Sequence, residues 1–261
     1  MCLILFAFQA HENFPLVIAA NRDEAYARPA APAGFWRDHP HVYGGRDLEM
    51  GGAWMGLTRH GRFAAVTNYR DGFPKGGAPR SRGELVGGYL TGTQAARPYL
   101  ESVATRKTEY AGFGVLAGDL NALWFLSNYG NGIEAIAAGV HGLSNHLLDT
   151  PWPKVTSGKR ELAALLNGDV GTLPEKLFDM LSDRSVATDR ELPDTGIGLQ
   201  REKALGPKFI AVDDRYGTRA STVIIVGRDG RVHYIERSFG PRGTFLSVVS
   251  NRFELAAPLT A

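Results

Sequence analysis

A single cysteine stands at position 2, and the charged tetrad Asn21-Arg22-Asp23-Glu24 closes the second apolar run of the chain. A thiol becomes a nucleophile when a base takes its proton. Removal of the initiator Met would give Cys2 its own base, an α-amine that titrates near ~7.7–8.0. The plain alternative for a lone cysteine is a small buried hydrophobe. Two apolar runs, 3–8 and 16–20, are separated by the polar turn His11-Glu12-Asn13 and read as a hairpin. Its return strand lays the tetrad beside Cys2, where Asp23 can orient the amine and Arg22 can stabilise anionic groups. Without that pairing the tetrad is a solvated strand end with a surface ion pair.

Three more polar residues end apolar runs: Asn68 in AAVTNYR, Asn145 in GLSNH and Arg219 in YGTRASTV. An Asn amide can donate to a developing oxyanion, and an Arg can hold a carboxylate or steady a thiolate. Turn chemistry for the two Asn and surface charge for the Arg account for them equally well. Asn21 and Glu24 of the tetrad join Trp36 and Trp54 as candidate pocket residues, with Phe35 and Tyr43 as further apolar walls or simple core. The histidines, at 11, 39, 41, 60, 141, 146 and 233, form no metal motif, and only the pairs His39/His41 and His141/His146 are near enough in sequence to share a metal or haem. The segment GGRDLEMGGAWMG matches neither a phosphate loop nor a dinucleotide fingerprint.

The elements that must position these residues follow from periodicity. Residues 28–49, rich in Pro, Gly and aromatics, read as a long loop of the kind that forms lids or binding walls. A second hairpin spans 54–58 and 62–67, turning at His60-Gly61. Ser81 and Glu84 have the spacing of a capping box ahead of an apolar face of Leu85, Tyr89 and Leu90, and a second helix covers 95–104. Segments 112–117, 122–127 and 133–140 read as an antiparallel meander. Pro151 and Pro153 lead into a helix through Leu166; another covers 175–181, and polar residues 183–203 read as a crossing. Strands at 209–212, 219–227, 231–237 and 244–249 close the chain, with a tight turn at Asp229-Gly230. Strands and helices alternate in blocks, which predicts an α+β protein of antiparallel sheets covered by helices.

Composition narrows the function classes. The 29 basic and 27 acidic residues leave a net charge of +2, too small to indicate nucleic acid or an anionic membrane as partner. The N-terminal apolar run is shorter than a membrane span and lacks the flanks of a signal peptide, so no integral membrane segment and a cytoplasmic location are expected. One cysteine makes no internal disulfide, and no linker or composition shift divides residues 1–261, which are expected to form a single domain.

The chain resembles the NRDE family, also called the transport and Golgi organisation protein 2 family, through Met1-Cys2, VIAANRDE, GGAWMG, VTNYRD followed by SRGEL, GLSN followed by PWPK, and YGTR. That pattern is similar to N-terminal nucleophile hydrolases of the choloylglycine hydrolase and penicillin V acylase type. The resemblance implies a four-layer αββα sandwich in which an N-terminal Cys attacks an amide carbonyl. It implies Cys2 as nucleophile and base, Asp23 as the holder of its amine, Asn68 and Asn145 as oxyanion and amine contacts, and Arg219 as a partner near the thiol. Those hydrolases carry Arg three residues before the Asp, where this chain has Ala20; Arg22 shares its strand face and can fill the same space. The expected activity is hydrolysis of the C–N bond of an N-acylated small molecule, with no cofactor. Family members are also implicated in haem trafficking and in lipid or acyl-CoA homeostasis. The alternative is therefore a non-enzymatic haem carrier on the same fold, with a weak ligand such as a His, and beyond it a purely structural or interaction role.

Overall fold

The computed structural model describes residues 2–72 and 78–256. In chain order the strands are β1 (Cys2–Phe8), β2 (Leu16–Ala25), β3 (Ala30–Phe35), β4 (Val42–Asp47), β5 (Met55–Thr58) and β6 (Phe63–Asn68), followed by helices α1 (Gly83–Thr91) and α2 (Ala96–Ala104). Next come β7 (Phe113–Gly118), β8 (Leu123–Ser127), β9 (Ile133–Ala135) and β10 (Gly139–Leu143), then α3 (Pro153–Leu166), α4 (Leu173–Leu181) and α5 (Leu199–Ala204). Strands β11 (Tyr216–Val226), β12 (Arg231–Phe239) and β13 (Phe245–Glu254) complete the described fold. All strand pairings are antiparallel, in a six-stranded sheet ordered β10-β1-β2-β11-β12-β13 and a seven-stranded sheet ordered β3 through β9.

Both sheets are covered on both faces, so their central strands are apolar on every residue and do not alternate with polar ones. Ile4, Phe6 and Ile18 of the first sheet meet Met55, Leu57 and Phe125 of the second in one core. The opposite face of the first sheet, with Leu3, Leu5, Val17 and Ala19, packs on Leu162, Leu177 and Leu181 of α3 and α4. On the far side of the second sheet, Ala64, Val66 and Val115 pack on Leu85, Leu90 and Leu100 of α1 and α2. The layers are thus helix, sheet, sheet, helix, the expected α+β architecture. Helix α3 lies on β1 at Gly158, where a Cβ would come within 2.4 Å of Leu5. Among the described residues no helix is long and apolar enough to cross a membrane.

Several local expectations are corrected. Residues 28–49 contain β3 and β4, although Pro and Gly made them read as loop. β3 is an edge strand, and its register slips between Ala31 and Gly34, so Pro32 loses no ladder hydrogen bond there. The Ser81 capping box does not form: the Ser81 hydroxyl accepts from the Gly83 N–H at 3.2 Å, Arg82 takes the N-cap position, and Glu84 pairs with Arg80 and Tyr110. The third segment of the meander divides, with β9 staying in the second sheet while β10 crosses to pair with β1 of the first. Residues 209–212 are no strand beyond the bridge of Ala211 to Gly217, because the Phe209 N–H donates to Asp183 O and the Ile210 N–H to the Thr218 hydroxyl. The crossing 183–203 contains the start of α5, held by the buried ion pair of Glu202 with Arg70 at 2.5 Å.

Candidate active site at the start of the first strand

The hairpin β1–β2 places Cys2 opposite Arg22 and Leu3 opposite Asn21. Because side chains alternate along a strand, Cys2 and Arg22 turn toward the second sheet with Ile4 and Ala20, while Asn21 and Asp23 turn toward the helices with Leu3 and Ala19. Arg22 therefore follows Ala20 on the same face, one residue pair further along. Cys2 is 6% exposed and lies in the wall of a cavity of about 540 Å³ between the sheets, shared with Arg22, Asp23, Glu24, Asn68 and Arg219. Burial pushes the Cys2 thiol up, while the nearby Arg22 charge and the backbone amide of Asp23 favour the thiolate. A buried thiol of this kind needs a base close at hand to ionise.

Asp23 is buried on the helix side of β2. Its Oδ1 accepts from the Thr218 hydroxyl at 2.7 Å, and its backbone carbonyl accepts from the Tyr216 hydroxyl at 3.1 Å. Burial raises its carboxyl above the ordinary range, opposed by the positive charges of Lys154 and Arg70. Lys154, in the first turn of α3, is itself buried and donates to Leu205 O at 3.0 Å. Burial holds its ammonium down to about 8, with Arg70 acting in the same sense and Asp23 and Cys2 against it. The site thus contains a carboxylate and two cations that the protein keeps out of water together.

The two asparagines have different surroundings. Asn68, the last residue of β6, lines the cavity, and its side-chain amide has no hydrogen-bond partner among the described residues. Asn145 is fully buried behind it; its Nδ2 donates to Asn68 O at 3.0 Å and its backbone carbonyl accepts from the Arg70 N–H at 2.7 Å. Asn145 therefore ties the two sheets together beside Cys2, helped by the Ser144 hydroxyl, which donates to Cys2 O at 3.1 Å. Arg219 occupies a β-bulge. The β2–β11 register runs Asp23 to Thr218 and then Arg22 to Ala220, leaving Arg219 as the extra residue. The bulge frees its side chain to reach the cavity, where its guanidinium donates to the carbonyls of Ala25 and Arg28.

Two expected pocket residues lie elsewhere. Asn21 faces the helices, donating to Leu181 O at 2.9 Å and Lys208 O at 2.8 Å and accepting from the Ser221 hydroxyl at 2.6 Å. Trp36 belongs to the core under α1 and α2, its indole N–H bonded to Gly44 O at 3.1 Å and Arg46 stacked over its ring. Phe35 and Tyr43 pack edge to face within the inter-sheet core. Trp54 and Glu24 do line the cavity. Sequence reasoning missed Arg82, which lines the cavity from the N-terminus of α1, and Glu236, whose Oε1 accepts from the Ala33 N–H at 2.8 Å at its edge. It also missed Arg70 and Lys154 behind Asp23. Arg70, Arg82 and Lys154 stand within the segments VTNYRD, SRGEL and PWPK, so the family pattern held the signal; Glu236 stands in none of them.

Fold and site together define a four-layer α+β protein with a lone thiol at the head of a central strand, opening on an arginine-lined cavity. The chain belongs to the Transport and Golgi organisation 2 family, which it matches over residues 1–241. It is 38% identical over 279 residues to the Transport and Golgi organization protein 2 homolog of Bos taurus, covering 98% of this chain and 99% of that protein. The Transport and Golgi organization protein 2 of Drosophila melanogaster is 28% identical over 91% of this chain and 92% of its own. Among solved structures, a conjugated bile acid hydrolase of Clostridium perfringens aligns with a TM-score of 0.46 at 8% identity, over 98% of this chain and 92% of that one. A Caenorhabditis elegans ortholog of N-acylethanolamine-hydrolyzing acid amidase aligns with a TM-score of 0.46 at 12% identity, over 86% and 92%.

Proposed function

We propose that the chain is a cysteine amidohydrolase that cleaves the C–N bond of an N-acylated small molecule. The observation that carries this reading is Cys2 in the wall of a roomy cavity, opposite Arg22 and sharing that wall with Asn68, whose amide has no partner among the described residues. The cavity volume, about 540 Å³, is in the range of small-molecule sites. After loss of Met1, the α-amine of Cys2 takes the thiol proton, held in place by Asp23. The sulfur attacks the carbonyl carbon, and the Asn68 amide donates to the resulting oxyanion. The C–N bond then breaks, the leaving nitrogen takes the proton from the ammonium, and a thioester remains. Water, deprotonated by the same amine, releases the acid and restores the thiol. Asn145 acts by positioning Asn68.

Intact mass of the purified protein, with and without an electrophilic thiol probe, tests this on wild type and Cys2→Ala. Loss of Met1 and one probe adduct that Cys2→Ala abolishes are expected. Retained Met1 together with an unreactive thiol would overturn the reading. Haem carriage, the second reading, has to ligate iron through Cys2 or Met50 in this cavity, because none of the described histidines lines it. A saturable Soret shift on haemin titration that Cys2→Ala or Met50→Ala removes, with no turnover of any N-acyl amide, would replace the hydrolase by the carrier.

A further inference from the structure

Six arginines line the Cys2 cavity: Arg22, Arg28, Arg46, Arg80, Arg82 and Arg219. Three of them are neutralised by carboxylates. Arg28 meets Asp47 at 2.6 Å and Glu49 at 3.6 Å, Arg46 pairs with Asp38, and Arg80 pairs with Glu84 and Glu109. The other three differ. Arg22 has a long contact of 3.8 Å with Glu24, and neither Arg82 nor Arg219 has a carboxylate within ion-pair distance among the described residues. Arg82 donates to Gly112 O at 3.1 Å, and Arg219 only to the carbonyls of Ala25 and Arg28.

These three arginines come from separate elements, β2, the N-terminus of α1 and the β11 bulge, and two carboxylates of the wall act on them, Glu24 and, at Arg22, the buried Glu236. Glu24 touches Arg22, and its charge acts on both Arg82 and Arg219. Burial lowers the pKa of both, the sign of guanidinium charge taken from water without full compensation. Arg22, Arg82 and Arg219 share the cavity wall with Cys2. The first turn of α1 lines the same wall with Ser81 and Gly83 and adds the positive end of its dipole. Three guanidinium groups thus outnumber the two carboxylates that act on them, and planar guanidinium forks match the oxygens of a carboxylate or phosphate.

We propose that the ligand of this cavity carries an anionic group, a carboxylate or a phosphate, held by Arg82 and Arg219 beside Cys2. This deepens the amidohydrolase reading and rests on it for the amide part of the substrate only. The substrate class is an N-acyl amide with an acidic substituent, and Arg82 and Arg219 are its specificity-determining residues.

Binding of matched probes to the full-length Cys2→Ala protein by isothermal calorimetry separates charge from chemistry. The probes are N-dodecanoylglycine and its neutral glycinamide, and N-dodecanoyl-O-phosphoethanolamine and the neutral N-dodecanoylethanolamine. At least one anionic probe binds about tenfold or more tighter than its neutral partner, the value of one charge-assisted hydrogen bond, and the preference shrinks as salt rises. Whichever anion wins identifies the group. Arg82→Gln and Arg219→Gln in the same background narrow the preference, and Arg82→Lys and Arg219→Lys, which keep the charge, narrow it less. Equal affinity for anionic and neutral probes before any arginine is changed would overturn the proposal, as would Gln variants that weaken both members of a pair equally. Turnover by the wild type is scored separately. A preference for anions without turnover upholds this site and sinks the hydrolase, and turnover with no preference for anions does the reverse.

Discussion

The two faces of β2 carry the same tetrad to opposite ends. On the helix side, Asn21 has two carbonyl acceptors and a hydroxyl donor, and Asp23 sits against Thr218 with the charges of Lys154 and Arg70 behind it. On the cavity side, Arg22 and Glu24 make one contact of 3.8 Å and face open space. Four consecutive polar residues are therefore two interleaved pairs, one built into the core and the other lining the cavity. A strand achieves this without any loop, because its period of two sends neighbours to different layers. The satisfied face fixes the backbone at which the unsatisfied face can be held ready.

The contrast predicts a graded series of effects. Glu202→Ala strands the buried Arg70 behind Asp23, and a loss of about 3 to 5 kcal/mol is expected in denaturant unfolding. If the loss is under about 1 kcal/mol, the helix-side network is not structural. Asn21→Ala orphans Leu181 O, Lys208 O and the Ser221 hydroxyl, and at about 1 kcal/mol or more for each the sum approaches 3 kcal/mol. Arg22→Ala, on the cavity face, should lower stability by about 1 kcal/mol or less while slowing reaction of Cys2 with a thiol probe, because a thiolate loses a cation that favours it. The reverse ranking of Asn21→Ala and Arg22→Ala in unfolding would dissolve the distinction between the faces.

Lys154 supplies the pH test. Its folded value of about 8 lies below its ordinary value of 10.5. Between those values the unfolded chain holds the extra proton, so stability rises with pH across that window. Lys154→Met should flatten that rise in a melting series, and an unchanged slope would mean that another group titrates there.

Much of the site was legible because the hairpin has a simple code. Two apolar runs and a polar turn fix the register that sets Cys2 against Arg22, with no long-range information needed. Asn68 and Arg219 were visible as polar residues ending apolar strands. Arg82 was hidden by a local signal that tertiary contacts overrode: Ser81 and Glu84 have capping spacing, but Glu84 turns to Arg80 and Tyr110. β3 was hidden by prolines that an edge strand tolerates, and the crossing of β10 to the first sheet has no signature in the residues that make it. Asn21 was assigned to the pocket as part of a charged cluster, although the period of two already sent it to the other face.

The placement of β1 between β2 and β10 has a consequence for biosynthesis. Cys2 is made well before the strands around it, since Ile4 pairs with Leu143, and β2 is flanked by β11, which begins at Tyr216. Pairings of such sequence separation form slowly. The thiol therefore leaves the ribosome long before the strands that enclose it, and its protection is a late event in folding. Pulsed alkylation during refolding should find Cys2 reactive until the C-terminal strands have paired, and a chain arrested before residue 216 should never shield it.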